Sequence, residues 1–314
     1  MIQDAMPSSA LRFLVLGFGV AVVSFAAILI RFAQAEGASS IVIAAGRLTI
    51  AALVLAPFAW WRAGTEMRRL PARVLGMCLL SGAMLAVHFW AWITSLEHTS
   101  VASSTALVTT NPLWVALASA ILLRERPGRA ALAGIALTLA GSVLIFAADA
   151  GRSPEPQASP LLGNILALVG AVAASGYLLA GRALRSRVSL FAYIWIAYSS
   201  AAVLLLAAAA AADDTLQPLS SGAWLLIAAL ALGPQLIGHT SFNWALRSLS
   251  ATFVAVAILG EPVGSAILAY LLLGEGFGAV QLWGFVILLA GIFIAARAEP
   301  SAQPIQEPGV LRRP

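Results

Sequence analysis

The chain has 314 residues, of which 61% are of hydrophobic types and only 10% are charged. Soluble domains carry about 25% charged residues, so this composition excludes an ordinary soluble protein and indicates a membrane protein. The net charge of +5 does not indicate a nucleic-acid partner, because the basic residues are all arginines that lie scattered between apolar runs.

The apolar residues form ten runs, each long enough to cross a hydrocarbon core of about 30 Å as a helix. The first run lacks a small-residue cleavage site, so we expect a membrane span there and not a signal peptide. Most breaks between the runs are short, so consecutive helices should be antiparallel neighbours. In chain order the predicted helices are 11–33, 41–61, 72–96, 99–123, 130–148, 161–184, 189–211, 221–246, 250–273 and 278–297.

The arginines predict the orientation of these helices, because basic residues in short loops stay on the cytoplasmic side. With a cytoplasmic N-terminus, only Arg152 lies in an external loop, and both termini are cytoplasmic. Arg31 and Arg47 fall within helices near the outer side. The remaining fifteen are all internal: Arg12, Arg62, Arg68, Arg69, Arg73, Arg124, Arg126, Arg129, Arg182, Arg185, Arg187, Arg247, Arg297, Arg312 and Arg313.

The chain contains an internal repeat, since residues 94–145 align with 244–295 at a constant offset of 150. The informative matches involve residues other than the common apolar types, namely Pro112/Pro262, Glu125/Glu275, Gly128/Gly278, Gly134/Gly284 and Gly141/Gly291. Upstream, Ser24, Arg31 and His88 lie opposite Ser175, Arg182 and His239 at an offset of 151. Five helices per repeat is an odd number, so the second repeat enters the membrane from the opposite side. Inverted repeats of this kind are characteristic of secondary transporters.

The two segments "ASSTALVTTNPLWVALASAILLRERPGRAALAGIALTLAGSVLIF" and "ATFVAVAILGEPVGSAILAYLLLGEGFGAVQLWGFVILLAGIFIAA" resemble the EamA repeats of the drug/metabolite transporter superfamily. The resemblance covers residues 12–297. It implies a ten-helix bundle whose central cavity is lined mainly by helices 1 to 4 and 6 to 9, with helices 5 and 10 peripheral. Bacterial members export amino acids and related metabolites, and the family includes exporters of aromatic amino acids.

These observations predict an all-α integral membrane protein with two inverted five-helix repeats. Residues 11–148 should form the first repeat and 161–297 the second, joined by an external linker at 149–160 and followed by a cytoplasmic tail at 298–314. We expect a multi-pass protein of the bacterial inner membrane whose partners are a small-molecule substrate and the lipid bilayer. The single Cys78 provides no metal-ligand spacing, so neither a metal nor a cofactor is expected.

Ionisable residues within membrane helices are costly and usually functional. Glu261 precedes Pro262, which cannot donate to the carbonyl four residues earlier and so should break its helix. Its repeat equivalent is Asn111 before Pro112. A functional interpretation places Glu261 and Asn111 beside the substrate, with Glu261 meeting a cationic group or a proton. Alternatively, a neutral or ion-paired Glu261 only fixes helix 9 to its neighbours.

Two polar and aromatic stripes lie on repeat-related helices. His88 and Trp92 share one helix face, as do Gln235, His239 and Asn243. Such side chains could bind a carboxylate or an amine against an aromatic wall. In the alternative, each histidine satisfies a neighbouring carbonyl. Tyr177 is a further candidate for the cavity, although ordinary packing would also explain it.

Arg47 could pair with Glu261, attract an anionic substrate group, or extend toward the outer headgroups. The lack of intramembrane aspartates and of catalytic motifs disfavours an intramembrane enzyme, so no catalytic residue is assigned. The predicted function is secondary transport of amino acids or similar metabolites by alternating access, with export the expected direction. Proton coupling is a hypothesis based on Glu261, His88 and His239. A channel-like facilitator and a transporter of nucleosides, sugars or drugs are the alternatives.

Overall fold

The structure is a computed structural model that describes residues 9–99, 101–118, 121, 128–149, 159–214, 218–273 and 278–298. All the regular elements of this part of the chain are helical. They are α1 (Ser9–Val23), α2 (Ala26–Ala35), α3 (Ser40–Met67), α4 (Ala72–His98), α5 (Val101–Val108), α6 (Asn111–Ala118), α7 (Arg129–Asp149), α8 (Pro160–Leu184), α9 (Leu190–Ala211), α10 (Ser221–Leu230), a π-helical segment (Ala231–His239), α11 (Thr240–Ala245), α12 (Ala251–Ile258), α13 (Glu261–Leu273) and α14 (Ala279–Ala298).

Serine caps define the start of four helices. The hydroxyls of Ser39, Ser189, Ser220 and Ser250 each accept a hydrogen bond from the backbone N–H three residues later. A cap of this kind contributes about 1 kcal/mol to a helix. The polar breaks in the sequence therefore not only separate the apolar runs but also fix where the next helix begins.

Within the described residues, seven helical stretches are long and apolar enough to cross a membrane: 10–35, 40–67, 72–98, 161–184, 190–211, 221–245 and 251–272. Two shorter apolar stretches, 129–144 and 282–295, lie in α7 and α14. The count of ten spans stays a prediction. Most of the predicted linker at 149–160, the predicted tail after 298, and the end of the predicted helix 99–123 lie outside the described residues.

Two predicted helices differ from the structure in detail. The span predicted at 11–33 agrees with the stretch 10–35, but a turn at Ser24 and Phe25 divides it into α1 and α2. The Ser24 hydroxyl donates to the carbonyl of Val20 at 2.9 Å, and side-chain bonds of this type bend helices. The predicted helix 41–61 continues in α3 as far as Met67. The prediction ended the helix where the apolar run ends, but the polar residues after Trp61 are also helical.

Each repeat contains one broken helix. α5 ends at Val108 and α6 begins at Asn111, while α12 ends at Ile258 and α13 begins at Glu261. Pro112 and Pro262 occupy the second position of the new helix, where a missing N–H costs least. The two breaks place Asn111 and Glu261 at equivalent helix starts.

A serine from the opposite repeat binds the backbone at each helix start. Ser175 Oγ donates to the carbonyl of Asn111 at 3.3 Å, and Ser24 Oγ donates to the carbonyl of Glu261 at 3.5 Å. Both serines share that proton with the carbonyl four residues earlier in their own helices. The two repeats therefore exchange equivalent contacts.

α7 and α14 pack so closely that their glycines meet. A Cβ added to Gly134 would lie 2.8 Å from the carbonyl oxygen of Gly291, and one added to Gly141 would lie 2.7 Å from that of Gly284. Gly134 and Gly284 are repeat equivalents, as are Gly141 and Gly291. Gly134 therefore contacts the equivalent of Gly141, and Gly141 contacts the equivalent of Gly134. This pattern means that α7 and α14 run antiparallel and are related by a pseudo-two-fold axis.

Candidate functional site

A central cavity lies where the two repeats meet. It offers about 40 Å³ to the centre of a water-sized sphere, enough for a few water molecules. Its wall is formed by residues of α1, α4, α5, α6, α8, α11, α12, α13 and the polypeptide between them: Val23, His88, Trp92, Val108, Thr109, Asn111, Ala174, Tyr177, Leu178, His239, Phe242, Ile258 and Glu261.

Six of the seven predicted substrate-binding residues line the cavity, and His88 is the first of them. Its Nδ1 lies 3.0 Å from the carbonyl oxygen of Gly170 in α8. A carbonyl only accepts, so Nδ1 carries the proton in this contact. In a neutral ring Nε2 is then an acceptor for a donor group. His88 therefore both satisfies a neighbouring carbonyl and lines the cavity.

His239 lies opposite His88 and is surrounded by aromatic rings. The two imidazole centroids are 6.3 Å apart, and the rings of Phe89, Tyr177 and Phe242 lie within 5.2–6.3 Å of His239. The buried Nδ1 of His239 has no hydrogen-bond partner among the described residues. The Nδ1 atom of His239, unlike that of His88, is therefore available to water or a ligand.

Trp92 completes the aromatic wall. Its ring stacks on His88 with a centroid separation of 5.9 Å and an angle of 10° between the planes. The buried Nε1 donor has no partner in the described part of the chain. Trp92 thus offers both an aromatic face and one unused N–H.

Asn111 and Glu261 supply the acceptors. Both side chains line the cavity, with 3% and 5% of their surface exposed. The buried Oδ1 of Asn111 and Oε1 of Glu261 have no hydrogen-bond partner within the described ranges. A buried acceptor without a partner is costly, which favours a ligand, a proton or water at each position.

Tyr177 and Asn243 form a hydrogen-bonded pair. The Asn243 amide donates to the Tyr177 hydroxyl and also to the carbonyl of His239 at 2.8 Å. Tyr177 lines the central cavity, whereas Asn243 lines a second, smaller pocket. The two predicted site residues are therefore in contact but face different spaces.

Arg47 lies behind the cavity wall. Its side chain has 0% exposure, so it does not extend to the headgroups. Nε donates to Gln235 Oε1 at 2.9 Å, and the guanidinium lies 4.0 Å from the centroid of the Phe89 ring. Nη1 and Nη2 have no hydrogen-bond partner among the described residues. In this conformation Arg47 bonds Gln235, and its pairing with Glu261 stays a prediction.

The family resemblance implied that predicted helices 1 to 4 and 6 to 9 line the cavity. The structure differs at α3 and α9, which correspond to predicted helices 2 and 7 and contribute none of the wall residues described above. Phe89 covers Arg47 of α3 and separates it from His239. Gln235 lies in the π-helical segment and bonds Arg47, so it does not share the cavity with His239. A regular helix was predicted to place Gln235 and His239 on one stripe. In the π-helical segment Gln235 instead contacts Arg47 of α3.

Sequence reasoning did not single out Thr109 as a wall residue, nor Phe89 as the ring between Arg47 and His239. Thr109 belongs to the hydroxyl-rich segment "ASSTALVTT", which gave a general signal, and its Oγ1 donates to Thr105 O at 2.6 Å. Phe89 gave no signal apart from its position after His88. Among the described residues, no group of three or more His, Cys, Asp or Glu side chains is placed to hold a metal ion.

A helical membrane bundle with a cavity between two repeats, lined by apolar and polar side chains, is typical of a membrane transporter. Comparison with known families agrees. The chain belongs to the EamA-like transporter family, whose model matches residues 11–147 and 161–297. This membership in the drug/metabolite transporter superfamily identifies the protein as a transporter rather than an enzyme.

Similar proteins include other transporters. An uncharacterized transporter of Archaeoglobus fulgidus is 25% identical over 196 residues, which are 62% of this chain and 67% of that protein. The pseudopaline exporter CntI of Pseudomonas aeruginosa is 25% identical over 223 residues, or 71% of this chain and 75% of CntI. The uncharacterized transporter YetK of Bacillus subtilis is 24% identical and covers 69% and 66% of the two chains.

A solved crystal structure has the same fold. It superposes with a TM-score of 0.74 at 22% identity and covers 92% of this chain and 97% of the other. At this identity the likeness concerns the fold alone.

Proposed function

We propose that the protein is a secondary transporter that exports amino acids or similar small metabolites across the bacterial inner membrane by alternating access. The observation that carries the proposal is the set of unsatisfied polar atoms in one cavity between the repeats. His239 Nδ1, Trp92 Nε1, Asn111 Oδ1 and Glu261 Oε1 are all buried there without partners in the described residues.

The chemistry of this cavity suits a small molecule with both a cationic and an apolar part. Glu261 and Asn111 supply acceptors for an ammonium group, and the Trp92 N–H supplies a donor for a carboxylate. Val23, Val108 and Leu178 form an apolar wall near these groups. An amino acid has the required combination, whereas a sugar would leave the apolar wall unmatched.

The cavity has room for only a few water molecules, so a substrate the size of an amino acid requires the helices to separate. Because the wall is drawn from both repeats, movement of one repeat against the other would enlarge it on one side at a time. This is the behaviour that alternating access requires.

The proposed topology has ten membrane helices, inverted repeats and two cytoplasmic termini. The antiparallel crossing of α7 and α14 at Gly134/Gly291 and Gly141/Gly284 supports the inversion. The exchanged contacts of Ser24 and Ser175 support it independently. The excess of arginines in the internal loops supports the orientation.

Export as the direction is supported by the similarity to CntI, an exporter of pseudopaline, and by the resemblance to metabolite exporters. The family and fold do not depend on this direction. We keep it as part of the proposal for this chain.

A substrate screen tests the proposal. Purified protein in proteoliposomes is loaded with one unlabelled solute and exposed to its labelled form, so that a transporter accumulates label by counterflow. We expect accumulation with one or more amino acids and none with sugars or nucleosides. Accumulation of a sugar or nucleoside alone would contradict the proposed substrate class, and no dependence on internal solute would indicate a channel-like facilitator.

Coupling to protons is a separate part of the proposal, motivated by the buried carboxylate of Glu261 beside the two histidines. We expect a pH gradient to drive net flux of the solute found by counterflow. Equal flux with either sign of the gradient would show uncoupled facilitation while leaving the substrate assignment intact.

A further inference from the structure

The hydrogen bond between Tyr177 and Asn243 separates two spaces in the protein. Tyr177 belongs to the wall of the central cavity. Asn243 belongs to a small pocket that also includes Gly181, Arg185, Tyr193 and Arg247. This second pocket offers about 10 Å³ to a water-sized sphere, about the room of one water molecule. The hydrogen bond between Tyr177 and Asn243 thus joins the walls of the two pockets.

Further hydrogen bonds join α8 to the residues that follow α11, and we call this contact between them the seam. Arg182 Nη1 donates to the carbonyls of Leu246 and Leu249 at 3.3 and 2.9 Å. Arg185 Nη1 donates to the carbonyl of Arg247 at 3.2 Å. All these contacts lie toward the ends of α8 and α11, so the seam runs from the cavity to one face of the bundle.

The small pocket has a positive rim. Arg185 is partly exposed and Arg247 is exposed, and both guanidinium groups belong to residues of the pocket wall. Glu66 lies near this face but accepts a hydrogen bond from the backbone N–H of Ser189 at 2.7 Å. A guanidinium matches a carboxylate better than any neutral group, since it can donate two parallel hydrogen bonds.

We propose that this pocket admits the anionic group of a substrate, such as a carboxylate, and that the Tyr177–Asn243 bond is the gate between the pocket and the central cavity. The inference rests on the proposed function in one respect: the proposed topology makes the face with the small pocket cytoplasmic. The gate is inferred from the positions of the two pockets, and the charge preference from Arg185 and Arg247.

A thiol placed in the central cavity tests the gate. Ala174 lines the cavity, and the native Cys78 is buried, so an Ala174→Cys variant in a Cys78→Ala background provides one reporter. Membrane-impermeant methanethiosulfonate reagents are added to inside-out and right-side-out vesicles that contain the full chain. The measured quantity is the rate of modification from each side.

Loss of the gate bond should increase that rate. We expect Tyr177→Phe and Asn243→Ala each to accelerate modification from the cytoplasmic side about fivefold, the factor expected for one net hydrogen bond. Thr138→Val is the control, because it also removes a buried hydroxyl, one that bonds carbonyls within α7, and Thr138 lines neither pocket. Rates that stay equal to the parent, or that rise equally in the control, would overturn the gate.

The charge preference is tested with two reagents of opposite charge. An anionic sulfonate reagent should react faster than a cationic trimethylammonium reagent in the Tyr177→Phe background. Arg185→Gln or Arg247→Gln should reduce the anion-to-cation ratio about two- to fivefold, as expected for a partly exposed charge pair. Arg187→Gln, at an exposed arginine outside the pocket wall, should leave the ratio unchanged. An unchanged ratio in the first two variants would overturn the assignment of the pocket.

These results are independent of which solute is transported, because labelling needs no substrate. Acceleration that occurs only from the opposite face would leave the gate standing and contradict the proposed topology. Normal gating with no amino-acid counterflow would instead contradict the proposed substrate class.

Discussion

Arg47 of the first repeat and Gln235 of the second are joined by a 2.9 Å hydrogen bond between residues that are 188 positions apart. Both side chains have 0% exposure. The bond connects α3 to the π-helical segment that ends at His239. The bond therefore links the buried Arg47 to the segment that carries His239.

Gln235→Leu should therefore destabilise the protein. It removes the acceptor of Arg47 Nε and leaves a buried guanidinium with no described hydrogen bond, at a cost of about 2 kcal/mol. Thermal unfolding in detergent should show a lower midpoint. Gln34→Leu is the control, because Gln34 is half-buried and bonds Ser40 and Ile93, neither of which carries a charge. An equal decrease in both variants would argue against a special role for the Arg47 bond.

Alanine should have opposite effects at Gly141, in the contact of α7 and α14, and at Gly76, in α4 outside that contact. A Cβ at Gly141 would lie 2.6 Å from the backbone nitrogen of Leu288, whereas a Cβ at Gly76 would meet nothing within 4 Å. Gly141→Ala should cost about 1–3 kcal/mol, because backbone atoms cannot move aside easily. Gly76→Ala should stabilise α4 by about 0.5–1 kcal/mol.

The two variants are compared by thermal unfolding under identical conditions. The midpoint should fall for Gly141→Ala and stay level or rise for Gly76→Ala. A neutral Gly141→Ala variant would show that α7 and α14 are farther apart than the structure places them.

Glu261→Gln separates binding from coupling. The amide keeps the size of the side chain but holds neither a negative charge nor an exchangeable acid proton. If Glu261 carries the coupling proton, counterflow exchange should persist while flux driven by a pH gradient is lost. If Glu261 binds an ammonium group instead, both activities should decrease together. Unchanged gradient-driven flux would exclude both roles.

Sequence patterns predicted much of this architecture, because the rare residues of the repeat carry positional information. Pro112 and Pro262 mark the broken helices, and the matched glycines mark the crossing of α7 and α14. His88, Trp92, Tyr177, His239 and Glu261 were predicted as cavity candidates and line one cavity in the structure. Their role in substrate binding stays a prediction.

Other features depend on packing that a helix pattern does not contain. The turn at Ser24 and Phe25 interrupts a continuous apolar run whose pattern contains no helix-breaking residue at that point. The π-helical segment rotates Gln235 away from the stripe that it would share with His239 in a regular helix. Phe89 separates Arg47 from the cavity, and no periodicity distinguishes such a ring from an ordinary core residue.

The central claim is that the cavity between the repeats binds the transported solute. The most direct test is counterflow of one accumulated amino acid by the parent and by His88→Ala, Trp92→Ala, Asn111→Ala and His239→Ala. Thr94→Ala is the control, because Thr94 is a partly exposed residue of α4 whose hydroxyl donates to the carbonyl of Trp90 and which lies outside the cavity wall. We predict at least about tenfold lower exchange in the four cavity variants, with loss of about 1.4 kcal/mol or more of binding or transition-state stabilisation, and normal exchange in the control. Parent-like exchange in all four correctly folded variants would contradict the account.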